Sequence, residues 1–402
     1  MLKVSFYFQV HQPFRLRNYL FFDIGNKHNY YNGALNRAVL RRVISNSYMP
    51  ANRMFHKLIR KYGDKVRVNY VLSGTLLDQL EKHSPEMIDS FQRLLKTGQV
   101  ELLGTTHSHS LSFLKEKEVF SMELQRYHTR VKDLFDVEPR VFSNTCLTYT
   151  DDMAKTLTEH GYLGVLTEGA ESILKGMSSN QIYRSVSSPS LKLLLRHYHL
   201  SDDISLRFSN RSWNQWPLLA ETYLGWLRKL DKKDKILNLW MDYGALGEHQ
   251  KKGTGIFDFM EQLFSSVAMD QKISLSKASD LLTLRKRLHP MSVEGTVSCS
   301  GDRTISPWLE NDMQKEAFDT LYRLYPRVAQ VSDPEIHRDW SYLQGSDHFY
   351  YMSTKYEGEH SQFSPYGSPY DAFINYMNVL SDFALRTDAG FERTVPEDFR
   401  VA

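Results

Sequence analysis

The residues best suited to chemistry lie in the stretch 239–249, which reads LWMDYGALGEH. A run of β-forming residues, 236–241, ends there in a single carboxylate, Asp242, and a polar segment containing glycines follows at once. Parallel α/β barrels present catalytic groups in this way, at the C-terminal ends of strands. An Asp after a strand more often only begins a turn, so this interpretation depends on similar strand ends elsewhere in the chain.

Histidines follow two other predicted strands. His11 comes directly after the run 4–10 and could bind substrate or metal, although a hydrogen-bonded structural role is the commoner one. His107 and His109 come after the run 99–103 and could be metal ligands. Without an obvious third ligand that metal signal is weak, so the residues alone leave these roles open.

The order of the predicted elements indicates what positions these side chains. Strands that end in polar residues, mostly with helical patterns between them, are predicted at 4–10, 66–72, 99–103, 141–142, 163–166, 191–195 and 236–241. This repetition predicts an α/β fold, a parallel barrel with its site at one face.

Two further parts of the chain differ from this pattern. The segment 14–52 reads as loop-rich, with a helical run after it. From about residue 300, apolar residues recur at helical spacing. We therefore predict a barrel domain at 1–300 and a C-terminal α-helical region at 301–402 that packs on the barrel.

Composition limits the partners of the chain. Its 402 residues include 50 basic and 47 acidic ones, and a net charge of +3 argues against a large nucleic-acid footprint. Two cysteines, Cys146 and Cys299, give no disulfide framework, so nothing demands an oxidising compartment. The sequence shows no secretory signal and no apolar run of membrane-spanning length. These features predict a soluble cytoplasmic protein without nucleic-acid or membrane partners.

A set of short motifs runs from the first strand to beyond residue 350. In chain order the motifs are His11-Gln12-Pro13, Arg15-Leu16-Arg17, Tyr48-Met49-Pro50-Ala51-Asn52, Gly98-Gln99-Val100-Glu101-Leu102-Leu103, Phe142-Ser143-Asn144-Thr145, Thr167-Glu168-Gly169, Ser201-Asp202-Asp203, Met241-Asp242-Tyr243, Gly247-Glu248-His249, Trp308-Leu309-Glu310-Asn311 with Gln314, and Ser346-Asp347-His348-Phe349-Tyr350-Tyr351. Together they resemble the α-amylases of glycoside hydrolase family 57. The resemblance implies a distorted TIM-like (β/α)7 barrel, a helical region after it, and retaining cleavage of α-1,4-glucans.

The resemblance also implies roles for single residues. Retaining glycosidases use two carboxyl groups about 5–5.5 Å apart, one as nucleophile and one as acid/base, and the family's acid/base Asp matches Asp242. The family's nucleophile is a Glu that ends a Phe-Arg-Asn-Thr-Glu-like motif, whereas this chain has Cys146 there and Ser143 in place of the Arg. The candidates for substrate binding are His11, Glu101, His109, Glu168, His249 and Trp308.

The substitution at Cys146 changes the expected chemistry. Cys is shorter than Glu, and a thiolate attacks only when a neighbour lowers its pKa, while the Arg that would help is replaced by Ser143. We therefore predict that double displacement is absent or severely impaired, and that Cys146 is a small buried or pocket-lining residue. Glu168 is a neighbouring acid that could take the nucleophile's place.

Three functions are consistent with these observations. The first is an α-amylase-like protein with little or no hydrolase activity that needs neither cofactor nor metal. It binds an α-1,4-glucan or maltooligosaccharide, or acts as the partner of an active enzyme that the sequence does not identify. The second is an active α-glucan hydrolase or glucanotransferase with an unusual nucleophile. The third is a metal-dependent, deacetylase-like hydrolase that uses His107, His109 and an Asp as ligands.

Overall fold

The computed structural model describes residues 1–230, 233–284, 288–355 and 364–394. Within the predicted C-terminal region, residues 356–363 and 395–402 lie outside this description. The described strands are β1 (Leu2–Val10), β2 (Val68–Leu72), β3 (Val100–Leu102), β4 (Val141–Ser143), β5 (Gly164–Glu168), β6 (Ile182–Ser185), β7 (Lys192–Arg196), β8 (Ile236–Asp242), β9 (Leu246–Gly247), β10 (Gln250–Lys251), β11 (Ile273–Leu275) and β12 (His289–Met291).

The described helices alternate with these strands as far as β12, and the described elements after β12 are all helices. The helices are α1 (Gly33–Val43), α2 (Met49–Tyr62), α3 (Gly74–His83), α4 (Pro85–Leu95), α5 (Lys117–Phe135), α6 (Met153–Glu159), α7 (Glu171–Leu174), α8 (Tyr198–Ser205), α9 (Ala220–Arg228), α10 (Ile256–Met269), α11 (Ala278–Leu282), α12 (Ser306–Leu309), α13 (Asp312–Arg323), α14 (Tyr325–Val328), α15 (Pro334–Leu343), α16 (Ser346–Tyr350) and α17 (Pro369–Thr394). No helix among the described residues combines the length and apolar character that crossing a membrane requires.

Seven parallel strands among the described residues form a barrel in the order β1, β2, β3, β4, β5, β7, β8 and back to β1. Between β3 and β4 the backbone pairing among the described residues runs through Gly104. The Gly104 N–H donates to the Val141 carbonyl at 2.9 Å, and its carbonyl accepts from the Ser143 N–H at 2.8 Å. A Cβ on Gly104 would lie 2.1 Å from the Tyr162 hydroxyl oxygen, so only glycine fits. The predicted (β/α)7 barrel is confirmed.

Burial explains why these runs form the barrel. β1 is buried at every position from Val4 to Val10, and β2 and β5 are buried throughout. Strands of a parallel sheet are covered on both faces, so they read as continuous apolar runs. The register pairs Gln9 of β1 with Asp242 of β8, which brings the ends of these two strands to one rim of the barrel.

The segment 14–52 is more regular than the sequence indicates. Its second half forms α1, and the π-helix Ile44–Tyr48 connects α1 directly to α2. Asn36 takes an inward position on α1 because its side-chain amide exchanges hydrogen bonds with the Arg15 backbone, at 2.9 and 3.1 Å. A polar residue on the buried face breaks the apolar pattern of α1, and the loop-rich prediction is wrong for residues 33–52.

The helices after residue 300 pack around a core of their own. That core also contains Leu16, Tyr19 and Tyr30 from the segment before α1, so the N-terminal segment is part of the helical layer. Asn311 and Gln314 form a capping box at the start of α13, and Gln314 Nε2 also donates to the Phe349 carbonyl at 3.0 Å. The division of the chain at residue 300 remains a prediction.

Candidate active site

A cleft of about 720 Å³ opens at the rim where β1 and β8 end. Its walls come from these strand ends, the π-helix, the loop after β4, the β9–β10 segment and the C-terminal helices. The residues that line it are Gln9, His11, Gln12, Pro13, Arg15, Val39, Arg42, Val43, Tyr48, His109, Cys146, Trp240, Asp242, Gly244, Glu248, His249, Lys251, Trp308, Ser346, Asp347, Tyr350 and Tyr351. The C-terminal face of a parallel barrel is where such folds place their active sites.

Asp242 stands at the mouth of the cleft with its side chain 48% exposed. Its Oδ1 accepts a hydrogen bond from the Gly244 N–H at 2.6 Å and lies 3.3 Å from His249 Nε2. Burial alone would lower the pKa of His249, but the hydrogen bond and charge of Asp242 outweigh it and raise that pKa. A Cβ on Gly244 would sit 2.6 Å from Asp242 Oδ1 and 2.7 Å from His249 Nε2, so the Asp242–His249 pair requires glycine between them.

A second pair of side chains, His11 and His109, forms one wall. Their rings stack with centroids 3.9 Å apart. His11 Nδ1 hydrogen bonds with Ser73 Oγ and His11 Nε2 with Asp347 Oδ2, both at 2.8 Å. Burial lowers the pKa of His109 well below its usual value, and the neighbouring His11 lowers it further. Burial would raise the pKa of Asp347, but His11 reverses this and lowers it, so a carboxylate stands behind the stacked rings.

Several polar atoms buried in the cleft have no hydrogen-bond partner among the described residues. Both side-chain amide atoms of Gln9, the Trp240 Nε1 and the His109 Nδ1 are buried and make no hydrogen bond to any residue that the structure describes. Buried polar groups are nearly always paired, because an unmade hydrogen bond costs free energy. Hydroxyl groups of a bound sugar both donate and accept, so they can satisfy such a set.

Cys146 lines the cleft and is joined by a disulfide to Cys299, with Cα atoms 5.2 Å apart. The Cys299 N–H also donates to the Cys146 carbonyl at 2.8 Å. The expectation that the two cysteines form no disulfide is therefore wrong. The cause is the fold, which brings the loop after β4 beside a segment 153 residues later in the sequence.

Glu168 lies behind the cleft rather than in it. Its side chain is fully buried, its Oε1 accepts from the Gly169 N–H at 2.9 Å, and its Oε2 accepts from Arg196 Nη1 at 2.9 Å. Burial raises the pKa of Glu168, while the two guanidinium groups of Arg196 and Arg303 oppose the rise. Asp202 contacts the same Arg196, so the four side chains form one buried ion-pair cluster.

The cleft brings together four of the six residues expected to bind substrate. His11, His109, His249 and Trp308 line it, and Trp308 is 6% exposed with its ring centre 5.9 Å from that of Tyr350. Glu168 lies behind the wall of the cleft and does not line it.

Glu101 has to be removed from the set of substrate-binding candidates. The register pairs it with Asn69, and Asn69 with Tyr7, two residues before Gln9 on β1. Its Oε2 accepts from both the N–H and the Oγ of Ser279 at 2.9 Å. Glu101 therefore holds the start of α11 and does not reach the cleft.

Gln9, Trp240, Asp347 and Tyr350 are among the residues that line the cleft and that sequence reasoning missed. The alternation of side chains along β1 and β8 was the available signal for Gln9 and Trp240, but without the register it does not say which face is the interior. Asp347 and Tyr350 belong to a motif near residue 350, and only the packing of α16 on the barrel shows that they reach the cleft.

The two histidines considered as metal ligands belong to different networks. His107 Nε2 contacts Asp78 Oδ2 at 3.2 Å, and the Tyr342 hydroxyl donates to the same oxygen at 3.0 Å. His109 instead stacks on His11. Among the described residues, no three His, Cys, Asp or Glu side chains form a group that could hold a metal ion.

Comparisons with known proteins agree on the family. The family model described as glycosyl hydrolase family 57 matches residues 5–294. A protein of Methanocaldococcus jannaschii named "Putative alpha-amylase" is 34% identical over 400 residues, which cover 94% of this chain and 84% of that protein.

Solved structures resemble the fold at much lower identity. The branching enzyme of family 57 from Pyrococcus horikoshii gives a TM-score of 0.72 at 13% identity, covering 99% of this chain and 92% of that one. The 4-alpha-glucanotransferase from Thermococcus litoralis gives a TM-score of 0.64 at 16% identity, covering 87% of this chain and 56% of that one. At identities this low, the TM-scores show a likeness of fold alone.

Proposed function

The chain belongs to glycosyl hydrolase family 57, and on that premise we propose that it is an α-amylase-like protein that binds α-1,4-glucan without hydrolysing it efficiently. In this proposal Asp242 keeps the position of the acid/base. The position of the nucleophile carries a disulfide-bonded sulfur in place of a carboxylate.

The disulfide of Cys146 is the observation that carries the proposal. A retaining glycosidase forms a covalent bond between the anomeric carbon and its nucleophile, which must offer a free electron pair of sufficient basicity. The sulfur of a disulfide is not a thiolate, and the thiolate is the nucleophilic form of cysteine. With Cys146 bonded to Cys299, no nucleophile is present at that position to form the covalent intermediate.

Glu168 does not offer a substitute. Both of its oxygens accept hydrogen bonds, from Gly169 and Arg196, and its side chain is fully buried. To attack a sugar it would have to break its ion pair with the buried Arg196 and leave Asp202 as the remaining carboxylate partner of that guanidinium, and breaking a buried ion pair costs several kcal/mol. The buried cluster supports a structural role for Glu168.

The rest of the cleft is suited to binding. The rings of Trp308 and Tyr350 offer apolar surface for sugar faces, and the unpaired polar atoms of Gln9 and Trp240 match sugar hydroxyls. Asp242 beside His249 can still hold or release a proton at a glycosidic oxygen. Protonation of the leaving group alone does not complete a double displacement.

Binding without turnover is tested by calorimetric titration of maltooligosaccharides into the full chain, with reducing ends assayed in the same samples. We expect saturable heat and no release of reducing ends above the buffer control. Release of reducing ends at a rate typical of an amylase would overturn the proposal.

We also propose a cytoplasmic location, which can be tested through the redox state of Cys146 and Cys299 in the cell. Cytosolic thiol systems keep most cysteines reduced, so a cytoplasmic protein should carry Cys146 and Cys299 as thiols inside the cell. Hydrolysis should be impaired in that state too, because Ser143 replaces the Arg that would activate a thiol at position 146. Alkylation of intact cells before lysis, followed by mass spectrometry, should label both cysteines. Two unlabelled cysteines would indicate an oxidising compartment.

A further inference from the structure

A groove of about 780 Å³ runs between α2 and α4 on the outside of the barrel. Asn52 of α2 and Ser90 of α4 meet on its floor, where Asn52 Nδ2 donates to Ser90 Oγ at 3.1 Å. No residue that lines this groove also lines the active-site cleft. The groove is therefore a separate concave surface of the size that small ligands occupy.

Positive charge dominates the groove. Arg53, Lys57, Arg60 and Lys61 line it from α2, and Arg93 lines it from α4. All five side chains belong to exposed residues. Arg53, Lys57 and Lys61 follow one another at intervals of four residues, where like charges face each other and destabilise a helix. An anion in the groove would relieve this repulsion.

Two of the five cations already have partners. Lys57 Nζ lies 2.5 Å from Glu261 Oε1, and Lys61 Nζ lies 4.9 Å from the centre of the Tyr62 ring. Arg53, Arg60 and Arg93 differ, since none of them has a carboxylate oxygen within ion-pair distance in the described part of the chain. Three guanidinium groups are thus available to one ligand.

The chemistry of these groups favours a phosphoryl group. A guanidinium presents paired N–H donors in a fixed plane, which match two oxygens of a phosphate, and it stays charged at every physiological pH. The groove also contains two carboxylates, Glu86 and Asp89. Carboxylates accept hydrogen bonds from hydroxyl groups and repel a continuous polyanion, so their presence favours a small ligand that combines both groups.

We propose that this groove binds a small phosphorylated molecule with free hydroxyl groups, the chemistry of a sugar phosphate. Arg53, Arg60 and Arg93 hold the phosphoryl oxygens, and Glu86 and Asp89 accept hydrogen bonds from the hydroxyls.

The test is calorimetric titration of the full chain with glucose 6-phosphate, inorganic phosphate and glucose as separate probes. Glucose 6-phosphate should bind more tightly than either of the other two. The double variant Arg60→Gln/Arg93→Gln should weaken its binding by about tenfold or more, because each charge-assisted contact is lost. The matched control Lys117→Gln/Lys155→Gln removes two exposed charges elsewhere and should leave the affinity unchanged.

A second variant tests the two carboxylates of the groove separately from its arginines. Glu86→Gln/Asp89→Gln should reduce the preference for glucose 6-phosphate over inorganic phosphate, while binding of phosphate itself stays the same or improves. The proposal is overturned if none of the probes binds, if the arginine variant and the lysine control weaken binding equally, or if a DNA oligonucleotide displaces glucose 6-phosphate more effectively than phosphate does. Melting curves of all variants confirm that each is folded.

Discussion

Cys146 and Cys299 are covalently joined across 153 residues, and the bond ties the loop after β4 to the segment that leads into α12. The same two residues share a backbone hydrogen bond. The crosslink therefore holds the loop after β4 in place beside the cleft, and under the proposed function it also removes the free thiol from the position of the nucleophile.

Reduction of this disulfide should destabilise the protein. A crosslink that closes a loop of this length restricts the unfolded chain, and native disulfides typically contribute about 2–5 kcal/mol to the free energy of unfolding. We expect urea denaturation to show a loss of that order when a dithiol reductant is added. The variant Cys146→Ser/Cys299→Ser should match the reduced protein and show no response to reductant. Equal stability of oxidised and reduced protein would show that the crosslink does not form in solution.

Asp242→Asn should lower the pKa of His249, because the carboxylate of Asp242 is what raises it. A histidine whose pKa is raised in the folded state stabilises that state fully below its unfolded pKa of about 6.5, and the stabilisation disappears as the pH rises through the folded pKa. The stability difference between wild type and Asp242→Asn should therefore be larger at low pH than above the folded pKa. Histidine titration by NMR measures the shift, and an unchanged His249 would disprove the pairing.

Glu168→Gln should be destabilising, by about 3 kcal/mol, because it removes one of the two carboxylates that pair with the buried Arg196. The matched control is Glu159→Gln, which removes an exposed carboxylate and should cost at most about 1 kcal/mol. Denaturant unfolding of both variants measures the difference. A Glu168→Gln protein of normal stability that has lost a glycosidase activity would identify Glu168 as a catalytic residue instead.

Trp240→Phe should weaken maltooligosaccharide binding by about 1 kcal/mol, because it removes the indole N–H and keeps an aromatic ring. Trp226→Phe is the control, since Trp226 packs against Trp213 and does not line the cleft. Calorimetric titration of both variants gives the comparison. Equal affinity in both would remove the Trp240 N–H from the binding surface.

The sequence predicts the barrel well because its strands are buried. The run before Asp242 is apolar at almost every position, as a strand covered on both faces must be, and the observed strand Ile236–Asp242 ends at the predicted acid. Motif resemblance then places His11, His109 and His249 correctly at one rim. In each case the prediction depends only on residues that are neighbours in the sequence or on the motif itself.

The predictions for Glu101 and for the two cysteines failed because they depend on contacts between segments that lie far apart in the sequence. The sequence motif that contains Glu101 does not fix the register of β3, and the register sets that side chain two rows below the cleft. The disulfide depends on the path of two loops that lie far apart in the sequence. The helix α1 was missed for a different reason, because Asn36 occupies an inward position through hydrogen bonds that no periodicity reveals.

We propose that the cleft binds glucan but does not hydrolyse it efficiently, because no free nucleophile is present at position 146. Reducing-end release from maltooligosaccharides and amylose tests it most directly, with wild type, Cys146→Glu/Cys299→Ser, and the same double variant carrying Asp242→Asn assayed side by side. We expect no release by wild type, measurable release by the double variant, and loss of that release when Asp242 is changed. Efficient release by oxidised wild type, abolished by Asp242→Asn alone, would contradict it.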